Sequence, residues 1–186
     1  NKGAKVVWFT SFFKGSKREE DIDGINVIRA GSSYTVHFLA FYYFILGRLG
    51  NPNIVVDCFH FLPFFTPLYI RKTKIIGLIN EVAGKLWFSN IFMPLSLLGF
   101  LIEPIFISLY KRRQFITSSE STKSELLRIK VPLNNIHMVY HGVTKIKLED
   151  KISKEKNPTI IFLGRVSVDK GIKDALKMFK ELHNMI

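Results

Sequence analysis

The sequence has a single cysteine, Cys58, among its 186 residues. One cysteine excludes an internal disulfide framework and any zinc site built from several thiolates. A chain without disulfides is typical of a reducing compartment, so we expect a cytoplasmic protein.

Acidic residues are also scarce, because 15 Asp and Glu stand against 27 Lys and Arg, which gives a formal net charge of +12. Such a charge favours anionic partners, which include phosphorylated substrates, acidic lipid surfaces and nucleic acid. With 47% hydrophobic and 23% charged residues, the composition excludes intrinsic disorder. The 17 phenylalanines raise the aromatic share to 13% and suggest apolar surface that meets a membrane or another domain.

The chain has no initiator methionine, and an apolar run begins at residue 6. Its last residue falls within a helical pattern. We therefore expect a piece of a longer protein, with no signal peptide in front of it.

Short apolar segments alternate with helical ones along the first three quarters of the chain. Helices are predicted at 36–49, at 63–70 and from Thr122 to about Ile129, where Thr122 and Glu125 have capping-box spacing. Residues 12–23 are predicted to be a loop. A further strand is predicted at 25–29. Near-continuous apolar strands favour an α/β fold with one parallel sheet, formed by 6–9, 54–56, 74–79, 115–117 and 136–139.

A charged segment at 145–157 lacks apolar periodicity, and we interpret it as an interdomain linker. After it a strand is predicted at 159–163 and a helix from Ile172 onward. The predicted organisation is a domain at 1–144 and the start of a second α/β domain at 158–186.

The segment 91–110 is apolar and long enough to cross a membrane. Glu103, Pro94 and Pro104 interrupt it, and it lies between two strands of the predicted sheet. We expect a buried or surface-lying helix instead, which could rest on anionic lipid through the basic residues that follow it.

The loop after the strand at 159–163 carries two cations. Gly164 lets the backbone turn, and Arg165 and Lys170 follow just before a helix N-terminus. Arginine grips a phosphate with two donors and lysine adds a point charge, so the loop suits a diphosphate. A solvated basic loop is the alternative interpretation.

Five motifs occur in a recognisable order: DGINVIRAG at 23–31, INEVAGKLWF at 79–88, ITSSESTKSELL at 116–127, MVYHGV at 138–143 and GRVSVDKG at 164–171. Together they resemble family 4 of the nucleotide-sugar-dependent glycosyltransferases of the GT-B type. The resemblance covers nearly the whole chain. It implies a Rossmann-like, acceptor-side N-terminal domain whose first strand is missing, and the first strand–helix unit of a second Rossmann-like domain that binds the nucleotide sugar.

The resemblance also implies an activity. The full enzyme would be a hexosyl-type glycosyltransferase of cell-envelope or polysaccharide biosynthesis. It would move a sugar from a nucleotide-diphosphate sugar to an acceptor with retention, without a metal or other cofactor, and this piece would be inactive alone. In that family the donor diphosphate is held by positions that correspond to Arg165 and Lys170, with room made at Gly164. The aromatic and basic composition suggests a lipid-linked acceptor and a peripheral position on the inner face of the plasma membrane.

The chain departs from the family pattern at two positions. Asn80 stands where the family often has histidine, and an amide cannot shuttle a proton. Glu81 could assist in catalysis, or it could be a solvent-exposed loop carboxylate. His141 stands where the family commonly has asparagine before Gly142, and we interpret it as a turn residue. With Ser119, which is expected to cap a helix, His141 and Gly142 are predicted to line the cleft.

Three other functions stay open. A basic, aromatic module could dock on anionic membrane without catalysis, and other GT-B enzymes such as sugar-nucleotide epimerases share the fold. A nucleic-acid binder would fit the charge, but no helix-turn-helix or interleaved aromatic–basic platform occurs, and we predict no nucleic-acid partner.

Asp57, Cys58 and His60 lack a second ligand cluster, so no metal site is predicted. No G-x-S-x-G motif supports a serine nucleophile.

Overall fold

A computed structural model describes residues 3–143, 153, 155–166 and 170–185. Its strands are β1 (Val6–Thr10), β2 (Glu19–Ile22), β3 (Ile25–Arg29), β4 (Ile54–Cys58), β5 (Lys74–Leu78), β6 (Gln114–Thr117) and β7 (Ile136–Met138). Its α-helices are α1 (Val36–Ile45), α2 (Leu86–Asn90), α3 (Leu95–Ser108), α4 (Glu120–Arg128) and α5 (Ile172–Met185), with 3-10 turns at Thr66–Leu68 and Leu133–Asn135.

The first sheet contains a hairpin that the sequence prediction missed. Residues 12–23 were predicted to be a loop, which is wrong for Glu19–Ile22, because β2 pairs antiparallel with β3. Ile22 faces Ile25, so Asp23 and Gly24 form a two-residue turn with φ of 54° and 80°. Both angles are positive, as hairpin turns of this length require. The Asp23-Gly24 pair was the feature of the sequence that could have predicted this hairpin.

The predicted single sheet is also wrong in its first strand. β1 pairs in parallel with β3, from Val6 opposite Ile25 to Thr10 opposite Arg29, and these strands form a three-stranded sheet in the order β1-β3-β2. The hairpin supplies β1 with a neighbour of the same length close in sequence, so β1 belongs to this sheet and not to the other. The ring of Phe9 lies 6.5 Å from that of Phe64, which follows β4.

The second sheet has four parallel strands, as predicted for these segments, and the structure sets their order as β4-β5-β6-β7. Because the order is sequential and parallel crossovers are right-handed, the connecting helices lie on one face. That face carries the main core, which brings Ile75 and Phe115 of the strands together with Ile107 and Leu126 of the helices. On the opposite face Ile54 and Val56 stay exposed. The arrangement is α/β and Rossmann-like.

Asp57 anchors the turn that follows β4. Its carboxylate is fully buried and accepts hydrogen bonds from the Tyr110 hydroxyl (2.5 Å), the Thr66 hydroxyl (2.7 Å) and the backbone N–H groups of Phe64 (2.9 Å) and Thr66 (3.2 Å). Burial and the neighbouring carboxylate raise the pKa of Tyr110. This network joins β4 to the segment after α3 and gives Asp57 a structural role.

Most helix predictions are confirmed with shifted bounds, but the helix predicted at 63–70 is wrong. Only the three-residue 3-10 turn forms there, because Phe65 has a left-handed φ of 55°. α4 begins at Glu120, two residues before the predicted start, because Ser119 and not Thr122 is its N-cap. The predicted apolar segment 91–110 contains α3, which has 14 residues. Of the helices in the described residues, none has both the length and the apolar character needed to cross a membrane.

The C-terminal part differs from the prediction in one respect. Residues 159–163 form no strand, so that prediction is wrong. A strand needs hydrogen-bonded neighbours, and no described segment pairs with this one, whose Ile161 and Leu163 are exposed. The helix expected from Ile172 is confirmed as α5.

The contacts divide the chain into two compact units, residues 1–82 with 101–140, and residues 83–100 with 141–186. Most of the predicted linker, 145–152 and 154, lies outside the described residues. The proposed domain bounds at 144 and 158 stay a prediction.

Candidate functional site

The carboxyl ends of β5 and β6 bring two of the predicted motifs together. Asn80 follows β5 and Ser118 follows β6, and parallel strands end at the same edge of a sheet. The Ser118 hydroxyl lies 3.2 Å from Asn80 Oδ1, to which it donates. The Thr122 hydroxyl donates to the Asn80 carbonyl oxygen at 2.7 Å, across 42 residues of sequence. Ligands of parallel α/β sheets bind at this edge, outside the carboxyl ends of the strands.

The N-terminus of α4 forms one wall of this candidate site. Ser119 accepts a hydrogen bond from the Thr122 N–H at 3.2 Å, and its hydroxyl lies 2.8 Å from the Thr122 hydroxyl and 3.0 Å from that of Ser121. The predicted capping role of Ser119 is therefore confirmed. The Ser119 hydroxyl therefore stabilises the N-terminus of α4.

Asn80 and Glu81 are both exposed at the end of β5. Since the side-chain oxygen of Asn80 accepts from Ser118, its Nδ2 hydrogens are the groups that it offers to a ligand. An amide in this position can orient a ligand by hydrogen bonding but cannot carry a proton. Glu81 supplies the ionisable carboxylate next to it.

His141 and Gly142 lie after the end of β7 and are exposed. The N–H of Val139 still donates to the Thr117 carbonyl at 2.9 Å, which extends the ladder to just before them. A Cβ at Gly142 would meet no atom within 4 Å, so the space around the backbone does not require glycine there. Both residues belong to the second compact unit, whereas Ser119 belongs to the first.

The predicted donor loop lies in the second unit. Gly164 and Arg165 are exposed in an irregular segment, Lys170 stands just before α5, and residues 167–169 lie outside the described residues. A Cβ at Gly164 would make ordinary contacts with Phe162 at 3.6 Å, so glycine is not sterically required. Gly171, whose φ is 68°, is the position of this loop where the backbone favours glycine.

A pocket that was not predicted from the sequence lies beside the first sheet. Its volume is about 520 Å³, and it lies where β3 ends and α1 begins. Arg29 lines it from a buried position, bonded to the Glu20 carboxylate at 2.5 Å and to the Lys17 carbonyl at 3.0 Å. Its other lining residues are Phe12, Arg18, Ala30, Gly31, Ser32, Leu39 and Tyr43. The signal for it was the strand that runs into Arg29-Ala30-Gly31-Ser32 before a helix.

Within the described ranges, His, Cys, Asp and Glu side chains form no group of three that could hold a metal ion. Comparisons with protein-family models, with curated proteins and with solved structures found no match to this chain.

Proposed function

We propose that the chain is part of a GT-B glycosyltransferase that moves a sugar from a nucleotide-diphosphate sugar to an acceptor. The observation that carries the proposal is the hydrogen-bonded junction of Asn80 with Ser118 and Thr122. It unites two of the motifs on which the family resemblance rests, at the edge of a parallel sheet where ligands of α/β proteins bind.

In this proposal Arg165 and Lys170 bind the donor diphosphate. When the bond between the sugar and the diphosphate breaks, negative charge grows on the departing diphosphate oxygens. Two cations and the N-terminus of α5, which starts directly after Gly171, stabilise that charge more as it develops than in the intact donor. Asn80 orients a ligand through its amide, and Glu81 is the candidate carboxylate for proton transfer.

The acceptor belongs, in this proposal, to the first unit. The pocket at the carboxyl end of β3 is large enough for a monosaccharide-sized group and offers the guanidinium of Arg18, the hydroxyl of Ser32 and the ring of Tyr43. Polar groups beside aromatic rings are the usual lining of small-molecule sites.

The test is calorimetric titration of nucleoside diphosphates into the full-length protein. Replacing Arg165 by alanine removes a charge-assisted contact of about 1.5–3 kcal/mol, which weakens binding roughly 10- to 150-fold. Lys170→Ala does similar harm. Arg165→Lys rescues binding only in part, because an ammonium lacks the planar fork of the guanidinium.

Lys173→Ala serves as the matched control, since it removes a cation from the exposed start of the same helix. If Arg165→Ala and Lys173→Ala bind the diphosphate equally well, the loop is a solvated turn and the donor site is refuted. A non-catalytic module that docks on anionic membranes is the second candidate function, and the exposed apolar side chains of α1 and α3 favour it.

A further inference from the structure

Two helices, α1 in the first unit and α3, whose second half belongs to that unit, have almost no charge on any side. α1 contains no charged residue at all. α3 contains only Glu103, which is buried. A helix that is apolar all round is normally covered by other protein or by lipid.

These two helices are nevertheless open to solvent. α4, whose Leu126 belongs to the same core as Ile107 of α3, presents the charged side chains of Glu120, Lys123, Glu125 and Arg128 instead. The exposed apolar side chains of α1, of the second half of α3 and of the residue after it are between 39% and 78% exposed: Phe38, Phe41, Tyr42, Ile45, Leu101, Ile105 and Leu109. Leu101 and Ile105 of α3 and Leu109, directly after it, recur every four residues and so form one stripe.

Aromatic contacts join the two helices into one surface. The ring of Phe41 on α1 lies 5.2 Å from that of Tyr69, and Phe106 on α3 lies 5.1 Å from Phe65. Phe65 and Tyr69 flank the 3-10 turn between β4 and β5, and Leu68 in that turn is exposed as well. The apolar surface therefore runs from α1 across the turn to α3, and we call it the helical apolar surface.

One edge of this surface is cationic. Arg48 precedes β4, Arg71 and Lys72 precede β5, and Lys111 and Arg112 precede β6. The strands are parallel and in register, with Ile54 opposite Lys74 and Ile76 opposite Gln114, so their amino ends share one edge of the sheet.

Acidic residues are almost absent from this region. From Gly24 to Phe115 the sequence contains only Asp57, Glu81 and Glu103, and two of these, Asp57 and Glu103, are buried. The cationic edge therefore has no carboxylates of its own region to neutralise it, and its charge is available to an anionic partner.

We propose that the helical apolar surface docks on an anionic lipid bilayer. The apolar side chains of α1 and α3 enter the boundary between headgroups and acyl chains, and the cations at the edge contact lipid phosphates. The apolar area and the electrostatic attraction act together in such binding. α3 lies in the plane of the interface, since its 14 residues are too few to span the bilayer.

Charge complementarity favours lipid over a protein partner. A protein interface of this composition would need an apolar partner face rimmed by carboxylates, whereas an anionic bilayer supplies both features everywhere on its surface. The docking surface uses none of the residues proposed for the donor site, so it stands or falls independently of sugar transfer.

The experiment is co-sedimentation of the purified chain with vesicles of phosphatidylcholine alone or with phosphatidylglycerol added. We expect binding to the anionic vesicles, weak binding to the neutral ones, and release as salt screens the charges. Ile105→Glu should weaken binding to anionic vesicles at least about tenfold. It places a negative charge, of the same sign as the lipid headgroups, in the apolar stripe. Lys72→Gln and Arg112→Gln should each weaken it about fivefold.

Two variants serve as controls. Leu127→Glu places the same charge on an exposed leucine of α4, and Lys14→Gln removes a cation after the carboxyl end of β1; neither should change vesicle binding. Circular dichroism checks that each variant keeps its helices.

The proposal is overturned if the wild-type chain stays in solution with anionic vesicles, or if Ile105→Glu binds as well as wild type. It is also overturned if the chain sediments as a dimer without lipid and Ile105→Glu makes it monomeric, because the surface would then bind a second copy.

Discussion

The hydroxyl of Tyr110 donates to the carboxylate of Asp57 at 2.5 Å, and the two residues are 53 positions apart in the sequence. Asp57 lies near the carboxyl end of β4, the edge strand of the four-stranded sheet, and Tyr110 follows α3, which lies between β5 and β6 in the sequence. The bond therefore ties the beginning of this sheet to its helical layer, and both side chains are fully buried.

Tyr110→Phe removes one of the four hydrogen bonds to the carboxylate. We expect the free energy of unfolding to fall by about 1.5–3 kcal/mol, because the lost bond is to a charged group in the core. Urea denaturation followed by circular dichroism measures the change. Tyr140→Phe is the control, since Tyr140 is exposed and its variant should unfold with wild type. Equal midpoints for the two variants would contradict the role assigned to Tyr110.

The stability of the chain should fall at alkaline pH. Burial and the Asp57 carboxylate raise the pKa of Tyr110, and the same causes raise the pKa of Tyr69. Above about pH 10 the unfolded chain loses tyrosine protons that the folded chain keeps, so the free energy of unfolding decreases by up to about 1.4 kcal/mol per pH unit for each tyrosine. Below that pH the contribution is fully present.

Urea titrations between about pH 9 and pH 11 test this dependence. Tyr110→Phe should show a shallower decline than wild type, because one of the two groups no longer titrates. A wild-type stability that stays constant through this range would refute the prediction.

Gly31→Ala should destabilise the end of β3 strongly. The φ of Gly31 is 67°, and a Cβ there would lie 2.5 Å from Thr35 Oγ1 and 2.6 Å from Leu39 Cδ1. Backbone strain and crowding together cost about 2–5 kcal/mol. Gly15→Ala separates the two causes, since Gly15 also has a positive φ but open space around it. Thermal unfolding should show a smaller loss for Gly15→Ala.

Gly99→Ala tests the contact between α3 and Trp87. Alanine ordinarily favours a helix over glycine by about 1 kcal/mol. Here the added Cβ would lie 2.2 Å from Trp87 Cε3, and this ring is buried, so we expect net destabilisation. Gly142→Ala, with nothing within 4 Å, should leave the unfolding midpoint unchanged. A stabilised Gly99→Ala variant would contradict the packing of Trp87.

Ser119→Ala should weaken the start of α4 by about 1 kcal/mol, since its hydroxyl caps the helix. Ser119→Asp should retain most of the stability, because a carboxylate also accepts from the N–H and suits the positive end of the helix. Ser124→Ala, at an exposed position within α4, is the control and should cost nothing. Hydrogen exchange of the α4 amides measures all three variants.

The sequence predicted most elements of the fold because their signals are local. Apolar runs located β4, β5, β6 and β7, and helical spacing located α1 and α5. The Asp-Gly turn of the first hairpin was equally local, but the charged residues before it concealed β2. The predicted start of α4 was two residues too late, because Ser119 and Thr122 are both good capping residues. Only the backbone geometry shows that Ser119 is the N-cap.

The sequence by itself determined the charge excess, the α/β alternation and the motifs at Asn80, Ser119 and Arg165. Tertiary structure decided that β1 pairs with β3, that residues 159–163 form no strand, and that Thr122 reaches the Asn80 carbonyl across 42 residues. It also decided that apolar side chains of α1 and of the second half of α3 stay exposed. The reason is that sequence periodicity indicates only which side chains lie on the same face of a helix or strand. Which strands pair, and which side chains are buried, depends on distant segments that form hydrogen bonds with them or pack over them.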